Sequence, residues 1–385
     1  MGELKTYVTY MGFSGKRFAC STVLVLSLVS CATTVSDVTT IMATGETYTV
    51  AQGGVHAVAV SVGTLKLTNP VITKTGDAVA SGNNAAVYAF GKGMIILQGG
   101  SVSTDAEASG ALSCSGGASI QISNTSITTK QGLSQGLISV NGGTITARNV
   151  SVTTEGKESV VFAIGDGGGR LTVNDCSCAA KGEASALLSS VGTLTANHIA
   201  GSSASGEIAV LDGGVVTINN SHLASGASSC GFLFRKGGTL TAFGGSFLLT
   251  SFATPLASIP SFQTGTITLD GVKMTVPSGV ILQVSSGAKG DINLCGGLSY
   301  TGDIVLDDNS SATMKIAVGT TWNGAFDSAC LGKDTDLTLN GGVWNLTNDS
   351  HVGRLTVKNG ANVHTNGHRL SLVTLMNDGG SIDGM

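Results

Sequence analysis

The architecture is visible most directly in residues 137–152, which read Leu137-Ile138-Ser139-Val140-Asn141-Gly142-Gly143-Thr144-Ile145-Thr146-Ala147-Arg148-Asn149-Val150-Ser151-Val152. This stretch holds three short segments of alternating apolar and polar residues, separated by a Gly-Gly pair and an asparagine. Such alternation predicts β-strands that bury one side, because segments this short cannot form stable helices. Glycine pairs and asparagine predict the turns between the strands.

The same pattern recurs along most of the chain. If the first apolar residue after the glycine is taken as an anchor, nine anchors follow at steps of 30, 25, 25, 26, 23, 22, 24 and 27 residues. The anchors are Leu65, Ile95, Ile120, Ile145, Leu171, Leu194, Val216, Leu240 and Ile267. A leucine-rich repeat of this length would need spaced leucines and a helical segment. We therefore predict an all-β chain, a right-handed parallel β-helix (a solenoid) with three short strands per coil.

The composition agrees with thin, repetitive coils. Charged residues make up 11% of the 385 residues, aromatic residues 5%, and 56 residues are glycine. A typical globular chain has about 25% charged residues. The net charge of −4 comes without a cluster of Lys and Arg, so nucleic acid is not expected as a partner.

The N-terminus predicts export. Lys16 and Arg17 precede an apolar run over residues 18–29, which is too short to span a bilayer stably. Met11 just before it is an alternative gene start. Two readings of Cys31 stay open: it is the lipidated residue of a bacterial lipobox, or Ser30-Cys31-Ala32 is an ordinary signal-peptidase site.

The sequence divides into four segments. We assign residues 1–31 to the signal segment, 32–60 to an N-terminal cap, 61–300 to regular coils and 301–385 to C-terminal coils of different texture, which contain both tryptophans. Because Pro255 and Pro260 interrupt the pattern, we expect any side protrusion around residues 250–262.

One set of polar residues recurs with the coils. Asparagines follow the anchors by three or four positions and could stack as an amide ladder, although ordinary turn asparagines remain the alternative. They are Asn124, Asn149, Asn174, Asn197 and Asn219. Cysteines beyond the leader are scattered, form no C-x-x-C pair and are expected to be small buried residues rather than zinc ligands. They are Cys114, Cys176, Cys178, Cys230, Cys295 and Cys330.

Catalytic and metal-binding residues were sought on the predicted coils. Asp166 and Asp212 fall at similar corners two coils apart, about 10 Å along the rod, as paired glycosidase carboxylates could. No basic or aromatic partners recur beside them, so solvated corner residues are the preferred interpretation. Two aspartate pairs, Asp307/Asp308 and Asp334/Asp336, could be calcium ligands, but turn aspartates explain them more simply. His364 and His368 have helical spacing in a stretch that is predicted as strand. We therefore expect no catalytic residues, cofactor or metal.

Threonines suggest one further class. The pairs Thr144/Thr146, Thr193/Thr195, Thr239/Thr241 and Thr266/Thr268 flank inward-facing anchors and should project from one face. Ice-binding β-solenoids present a flat threonine array of this kind. Arg170, Val215 and the Ser119/Gln121 coil interrupt the array, and threonine is favoured in exposed strands in any case.

The C-terminal stretch carries a resemblance. Residues 337–363 contain a strand with Trp344 and Leu346, an Asp349-Ser350 turn, then Val352 and a strand with Leu355 and Val357. This arrangement resembles the end of autotransporter passenger domains of the AIDA and pertactin type. The likeness covers roughly residues 60 to 376 and is generic upstream of the C-terminal motif.

The resemblance implies a secreted or surface-anchored adhesin-like passenger, a virulence-associated rod at the bacterial outer membrane. It implies that Trp344, Leu346, Val352, Leu355 and Val357 form a folding nucleus. It also implies binding to a host surface protein or glycan, or self-association. Autotransporters continue into a translocator barrel, whereas this sequence stops at Met385, so attachment would need a missing barrel or a lipid at Cys31. The alternatives are a polysaccharide-degrading enzyme like pectate lyase and an ice-binding solenoid.

Overall fold

The chain folds into a stack of β-coils. The computed structural model describes residues 24–26, 40–77 and 84–384. Within these ranges every regular element is a β-strand, and the strands pair in parallel from coil to coil. About 14 turns result, which at ~4.8 Å per coil make a rod of roughly 70 Å. The prediction of a parallel β-solenoid with three strands per coil is confirmed.

Each coil contributes a strand to each of three faces, except that the coil of Asp334–Leu339 adds only an isolated bridge at Phe326 to one of them. The anchor face contains Thr40–Thr44, Ser119–Ser123, Gly143–Arg148, Gly169–Asn174, Thr193–Asn197, Val215–Asn219, Gly238–Phe243, Thr264–Asp270, Lys289–Cys295, Ser311–Ile316 and Asp334–Leu339. The second face contains Thr47–Val50, Val71–Thr75, Ser101–Asp105, Ser126–Thr129, Ser151–Thr154, Ser177–Ala180, Ala200–Ser203, His222–Ser225, Ser246–Leu249, Lys273–Thr275, Ser299–Thr301, Thr321–Asn323, Val343–Asn345, Asn362–His364 and Ser381–Asp383.

The third face precedes the anchor face in each coil. It contains Leu24–Leu26, Leu112–Cys114, Leu137–Ser139, Phe162–Ile164, Leu188–Ser190, Ala209–Leu211, Phe232–Leu233, Ala257–Ile259, Val280–Val284 and Asp303–Leu306. Four longer strands run through both the third and the anchor face and join them into a single 25-stranded sheet. These are Val58–Thr68, Val87–Gln98, Ser350–Lys358 and Leu370–Asp378.

The predicted anchors are direct neighbours in this sheet. Leu65 lies opposite Ile95, Ile95 opposite Ile120, and the pairing continues without a slip to Leu240 and Ile267. All nine anchors are at most 1% exposed. Burying an aliphatic side chain of this size contributes about 1.5–3 kcal/mol, so every coil adds its own share of stability.

Inward-facing side chains of neighbouring coils differ in size and pack against one another. On the second face, Cys178 lies beside Gly201, and a Cβ atom on Gly201 would come within 2.2 Å of the Cys178 sulfur. Two coils further on, Phe247 packs edge-to-face on Phe232, with 4.9 Å between ring centroids. Side-chain size therefore varies from coil to coil along this column, and neighbouring side chains fill the narrow core.

Buried polar groups at one corner are satisfied across coils. The backbone N–H of Ser134 donates to the hydroxyl of Ser159, and that of Ser159 to Ser185, at 3.0 and 2.9 Å. Near the N-terminal end, the fully buried Lys74 ammonium donates to the carbonyls of Gln52 and Val55 at 3.0 and 2.8 Å. Burial lowers the pKa of Lys74. No buried side-chain nitrogen or oxygen among the described residues lacks a partner.

Two segments differ from their description in the sequence. Strands already pair in coil register from Thr40 onward, inside the segment assigned to an N-terminal cap. Residues 250–262 do not protrude as a long loop, because Ala257–Ile259 pairs with the coils on both sides. Near residue 300 the second face divides into a ten-stranded and a five-stranded sheet.

The predicted leader lies almost entirely outside the described residues. Leu24–Leu26 is described, and it pairs with the beginning of Val58–Thr68. Cys31 lies outside the described residues, so its cleavage or lipidation stays a prediction. Across the ranges 24–26, 40–77 and 84–384, we find no helix that is long and apolar enough to span a bilayer.

Candidate binding surfaces

The anchor face carries threonines in two columns along the axis. One column has a threonine in every coil over six coils, and each pairs with the next: Thr146, Thr172, Thr195, Thr217, Thr241 and Thr268. The parallel column is interrupted at Arg170 and Val215, as the sequence predicted. The continuity of the first column was not predicted. Thr172 and Thr217 were left out of the threonine pairs, because the residue two positions earlier is not a threonine in either case.

The corner between the anchor face and the second face repeats one backbone conformation. Six residues there have φ between 46° and 55°, the left-handed region that asparagine and aspartate tolerate best after glycine. They are Asn69, Asn124, Asn149, Asp175, His198 and Asn220. Glycines 45, 99, 244 and 271 occupy the same place in four other coils. A left-handed residue thus turns the chain at this corner.

The predicted asparagine ladder exists, but as two ladders. At the corner, the Asn149 amide donates to the Asn124 carbonyl oxygen at 2.7 Å. One residue earlier, on the anchor strands, Asn197 donates to Asn174 at 2.7 Å. Asn219 donates to Asn197 at 2.6 Å. The one-residue slip in the sequence spacing therefore separates a corner row from a strand row.

A groove of about 600 Å³ runs beside the corner row. We call it the amide groove; Asn124, Asn149, Asp175 and His198 form one wall. Ser126, Ser151 and Ser177, which are neighbours on the second face, form the other wall.

Charges in the amide groove nearly balance. The Asp175 carboxylate lies 3.6 Å from the Arg148 guanidinium and 3.6 Å from His198 Nδ1. All three side chains are substantially exposed, so the pairing adds little stability and leaves them available to a ligand. The sequence analysis missed this group, because its members belong to three different coils and share no motif.

The most exposed aromatic residues flank one strand of the third face. Phe252 lies in the turn before Ala257–Ile259 and Phe262 in the turn after it, and both are 83% exposed. Phe243, at the end of an anchor-face strand, and Leu248, on a second-face strand, are also exposed. Large exposed apolar side chains are candidates for interaction sites. The only signal in the sequence was the irregular, proline-containing segment 250–262.

The carboxylates considered for glycoside hydrolysis do not form a matched pair. Ile164 and Leu211 both pair with Ser190, and Asp212 follows Leu211 directly, whereas Asp166 lies two positions after Ile164. Asp212 is also held bidentately by Arg235, with 2.8 Å between Nε and Oδ1. The sequence analysis missed this basic partner, which lies one coil further along. Asp212 is thus engaged in an ion pair.

The other acidic and histidine candidates have structural partners. The Asp307 carboxylate accepts a hydrogen bond from the backbone of Ser286. Asp334 and Asp336 lie on a strand rather than in a turn, and Asp336 pairs with Arg354. His364 lies on a strand, as expected, 2.7 Å from Asp383. Within the described part of the chain, no three His, Cys, Asp or Glu side chains gather as a metal site.

The six cysteines in the described part of the chain are free thiols, and four of them are buried. Cys114, Cys176, Cys178 and Cys230 are buried, as predicted, whereas Cys295 is half-buried and Cys330 is exposed. Burial raises the pKa of Cys114 to about 11. It raises the pKa of Cys178 and of Cys230 to about 12. Thiols held neutral in this way are poor nucleophiles.

The C-terminal coils pack around two stacked tryptophans. Trp322 and Trp344 are fully buried, 5.3 Å apart and nearly parallel. Their indole N–H groups donate to the carbonyls of Gly302 and Gly324 at 2.8 and 2.9 Å. The other residues of the predicted nucleus, Leu346, Val352, Leu355 and Val357, are at most 1% exposed.

The chain matches no protein-family model, and no curated protein matches it significantly. The likeness to autotransporter passengers therefore rests on the C-terminal sequence motif and on the β-solenoid.

Proposed function

We propose that the chain is a non-catalytic, adhesin-like rod that binds a protein on a host cell or in the extracellular matrix. The observation that carries this proposal is the exposure of Phe252 and Phe262 at both ends of one third-face strand. Aromatic side chains that become desolvated on binding supply much of the affinity of protein interfaces. A stiff solenoid with few charged residues would hold these two rings at a fixed separation.

Export to the bacterial surface or medium belongs to the same proposal. Its support is the basic and apolar leader around Lys16, Arg17 and residues 18–29, with lipidation at Cys31 as one means of attachment. Placement at an outer membrane and a role in virulence follow from the resemblance of residues 337–363 to passenger domains.

The proposal is tested by adhesion of beads that carry the full chain. We expect them to adhere to epithelial cells or to immobilised matrix proteins, and the double variant Phe252→Ser/Phe262→Ser to lose at least ~10-fold in affinity, since two aromatic anchors are removed. The matched control is Val318→Ser, because Val318 is 71% exposed on a different coil.

Two outcomes would contradict the proposal. One is adhesion no stronger than that of albumin-coated beads. The other is equal loss in the Val318→Ser control. If the chain instead dimerises in light scattering and the phenylalanine variant is monomeric, the two rings serve self-association and not a host partner.

The unbroken threonine column supports a second candidate, ice binding. Six hydroxyls and six methyl groups repeat at the coil spacing on a parallel sheet, a regular array for ordering water. We expect thermal hysteresis in the wild type and its loss in Thr195→Tyr/Thr217→Tyr. Thr153→Tyr on the second face is the control. A wild-type solution without hysteresis ends this candidate.

A further inference from the structure

We propose that the amide groove binds a linear, neutral glycan that lies parallel to the rod axis. This site is separate from the coil of Phe252 and Phe262. The inference shares with the adhesin proposal only the premise that the rod functions by binding at its outer surface.

The first argument is the repeat of hydrogen-bonding groups. Successive coils place Asn124, Asn149, Asp175 and His198 on one wall, and their spacing is the coil spacing of ~4.8 Å. The Asn124–Asn149 bond uses one N–H and one lone pair, while each carboxamide has two donors and up to two acceptor sites. The two asparagines therefore offer both donors and acceptors, and the Asp175 carboxylate adds acceptors, to a ligand that repeats its own hydroxyl groups.

The second argument is the opposite wall. Ser126, Ser151 and Ser177 begin three neighbouring second-face strands and are exposed. Their hydroxyls both donate and accept, so they complement sugar hydroxyls as well as the amides do. A ligand in the groove meets polar groups on both sides, as an extended sugar chain requires.

The third argument is charge. Asp175 is the one carboxylate that lines the groove, and Arg148, which lies beside the groove rather than in its lining, compensates that charge with a permanent cation. This balance offers no net attraction to polyanions such as nucleic acid or acidic polysaccharide. A peptide strand is disfavoured as well, because the corner backbone N–H groups already donate to the next coil, for example Asn149 to Asn174 at 3.0 Å. The ligand that fits the groove is therefore uncharged and rich in hydroxyl groups.

The test uses the full chain in affinity electrophoresis and calorimetry with hexasaccharides of cellulose, xylan, mannan and starch, and with hexagalacturonate as the charged probe. We expect at least one neutral hexasaccharide to bind more tightly than hexagalacturonate. Asn124→Gly/Asn149→Gly should weaken that binding at least ~5-fold, since glycine keeps the left-handed backbone and removes both amides.

The matched control is Asn69→Gly, at the same corner and in the same conformation but outside the groove, and it should bind like the wild type. Far-UV circular dichroism checks that all variants stay folded. The inference is overturned if no neutral glycan binds, if hexagalacturonate binds more tightly, or if the double variant binds as well as Asn69→Gly.

Failure here and failure of the adhesin proposal are distinguishable. Phe252→Ser/Phe262→Ser should retain glycan binding, and Asn124→Gly/Asn149→Gly should retain adhesion to the protein partner.

Discussion

Single residues determine where each coil turns. The corner between the anchor face and the second face is occupied by asparagine, aspartate, histidine or glycine, depending on the coil. The backbone there is left-handed, a conformation that is unfavourable by about 1 kcal/mol for other residues. Asn149 is such a corner residue, while Asn174 belongs to the preceding strand. Both were expected in one ladder, because sequence spacing alone does not show which asparagine has positive φ.

Buried thiols link stability to pH at the same scale. Cys114, Cys178 and Cys230 have pKa values raised by burial to about 11–12, against ~8.5 in an unfolded chain. The unfolded chain therefore loses these protons first as the pH rises. Stability from this source is complete below about pH 8.5 and is lost as the pH rises toward 11–12, by about 1.4 kcal/mol per pH unit for each thiol.

We predict that the urea midpoint of the wild type falls faster between pH 8.5 and 10.5 than that of Cys114→Ala/Cys178→Ala/Cys230→Ala. Lysines and tyrosines are common to both proteins, so the difference in slope isolates the thiols. Equal slopes would show that these thiols do not couple to folding. In the native chain at pH 8, a thiol reagent should modify the exposed Cys330 before the buried Cys114, Cys178 and Cys230.

Among the elements, the C-terminal coils differ in their core. Elsewhere the core is mainly aliphatic, with an edge-to-face contact between Phe232 and Phe247, whereas Trp322 and Trp344 stack directly and donate to backbone carbonyls. This local, well-bonded block is the physical basis for expecting a folding nucleus there.

We predict that Trp344→Ala destabilises the chain by about 3–5 kcal/mol and slows refolding, since a buried indole is lost from the nucleus. Phe232→Ala, at an equally buried site in the middle of the rod, should mainly speed unfolding. Refolding followed by far-UV circular dichroism measures both. If the two variants slow refolding by the same fraction of their stability loss, residues 337–363 are not the nucleus.

Prediction from sequence succeeded for the strands and failed for contacts at corners. The anchors could be placed because alternation and glycine spacing fix the coil register, and Leu65 to Ile267 pair as predicted. The Asp212–Arg235 pair, the Asp175 group and the exposure of Phe252 could not be predicted. Each depends on which way a turn residue points, and a one-residue difference in turn length changes that direction.

The whole molecule is close to one-dimensional. Neighbouring anchors lie between 18 residues apart, from Leu337 to Leu355, and 30 apart, from Leu65 to Ile95. Each coil therefore contacts mainly the coils above and below it, and stability is close to a sum of coil and interface contributions.

We predict that deleting residues 170–192, one coil, leaves a folded rod that is shorter by ~4.8 Å, because Thr193 then takes the place of Arg170 beside Thr144. Far-UV circular dichroism per residue should stay unchanged. Deleting residues 170–180, about half a coil, breaks the register and should unfold the neighbouring coils. Equal loss of β-signal in both deletions would contradict coil modularity.

The Asp212–Arg235 pair has an evolutionary consequence. The Asp212 side chain is 7% exposed and the Arg235 side chain is 58% exposed. Substitution of Asp212 and substitution of Arg235 therefore have unequal effects on stability. Losing Asp212 leaves an arginine that water can solvate, whereas losing Arg235 leaves a buried carboxylate without its partner. Substitution along a lineage is therefore ordered: position 212 becomes neutral first, and only then is position 235 free to drift.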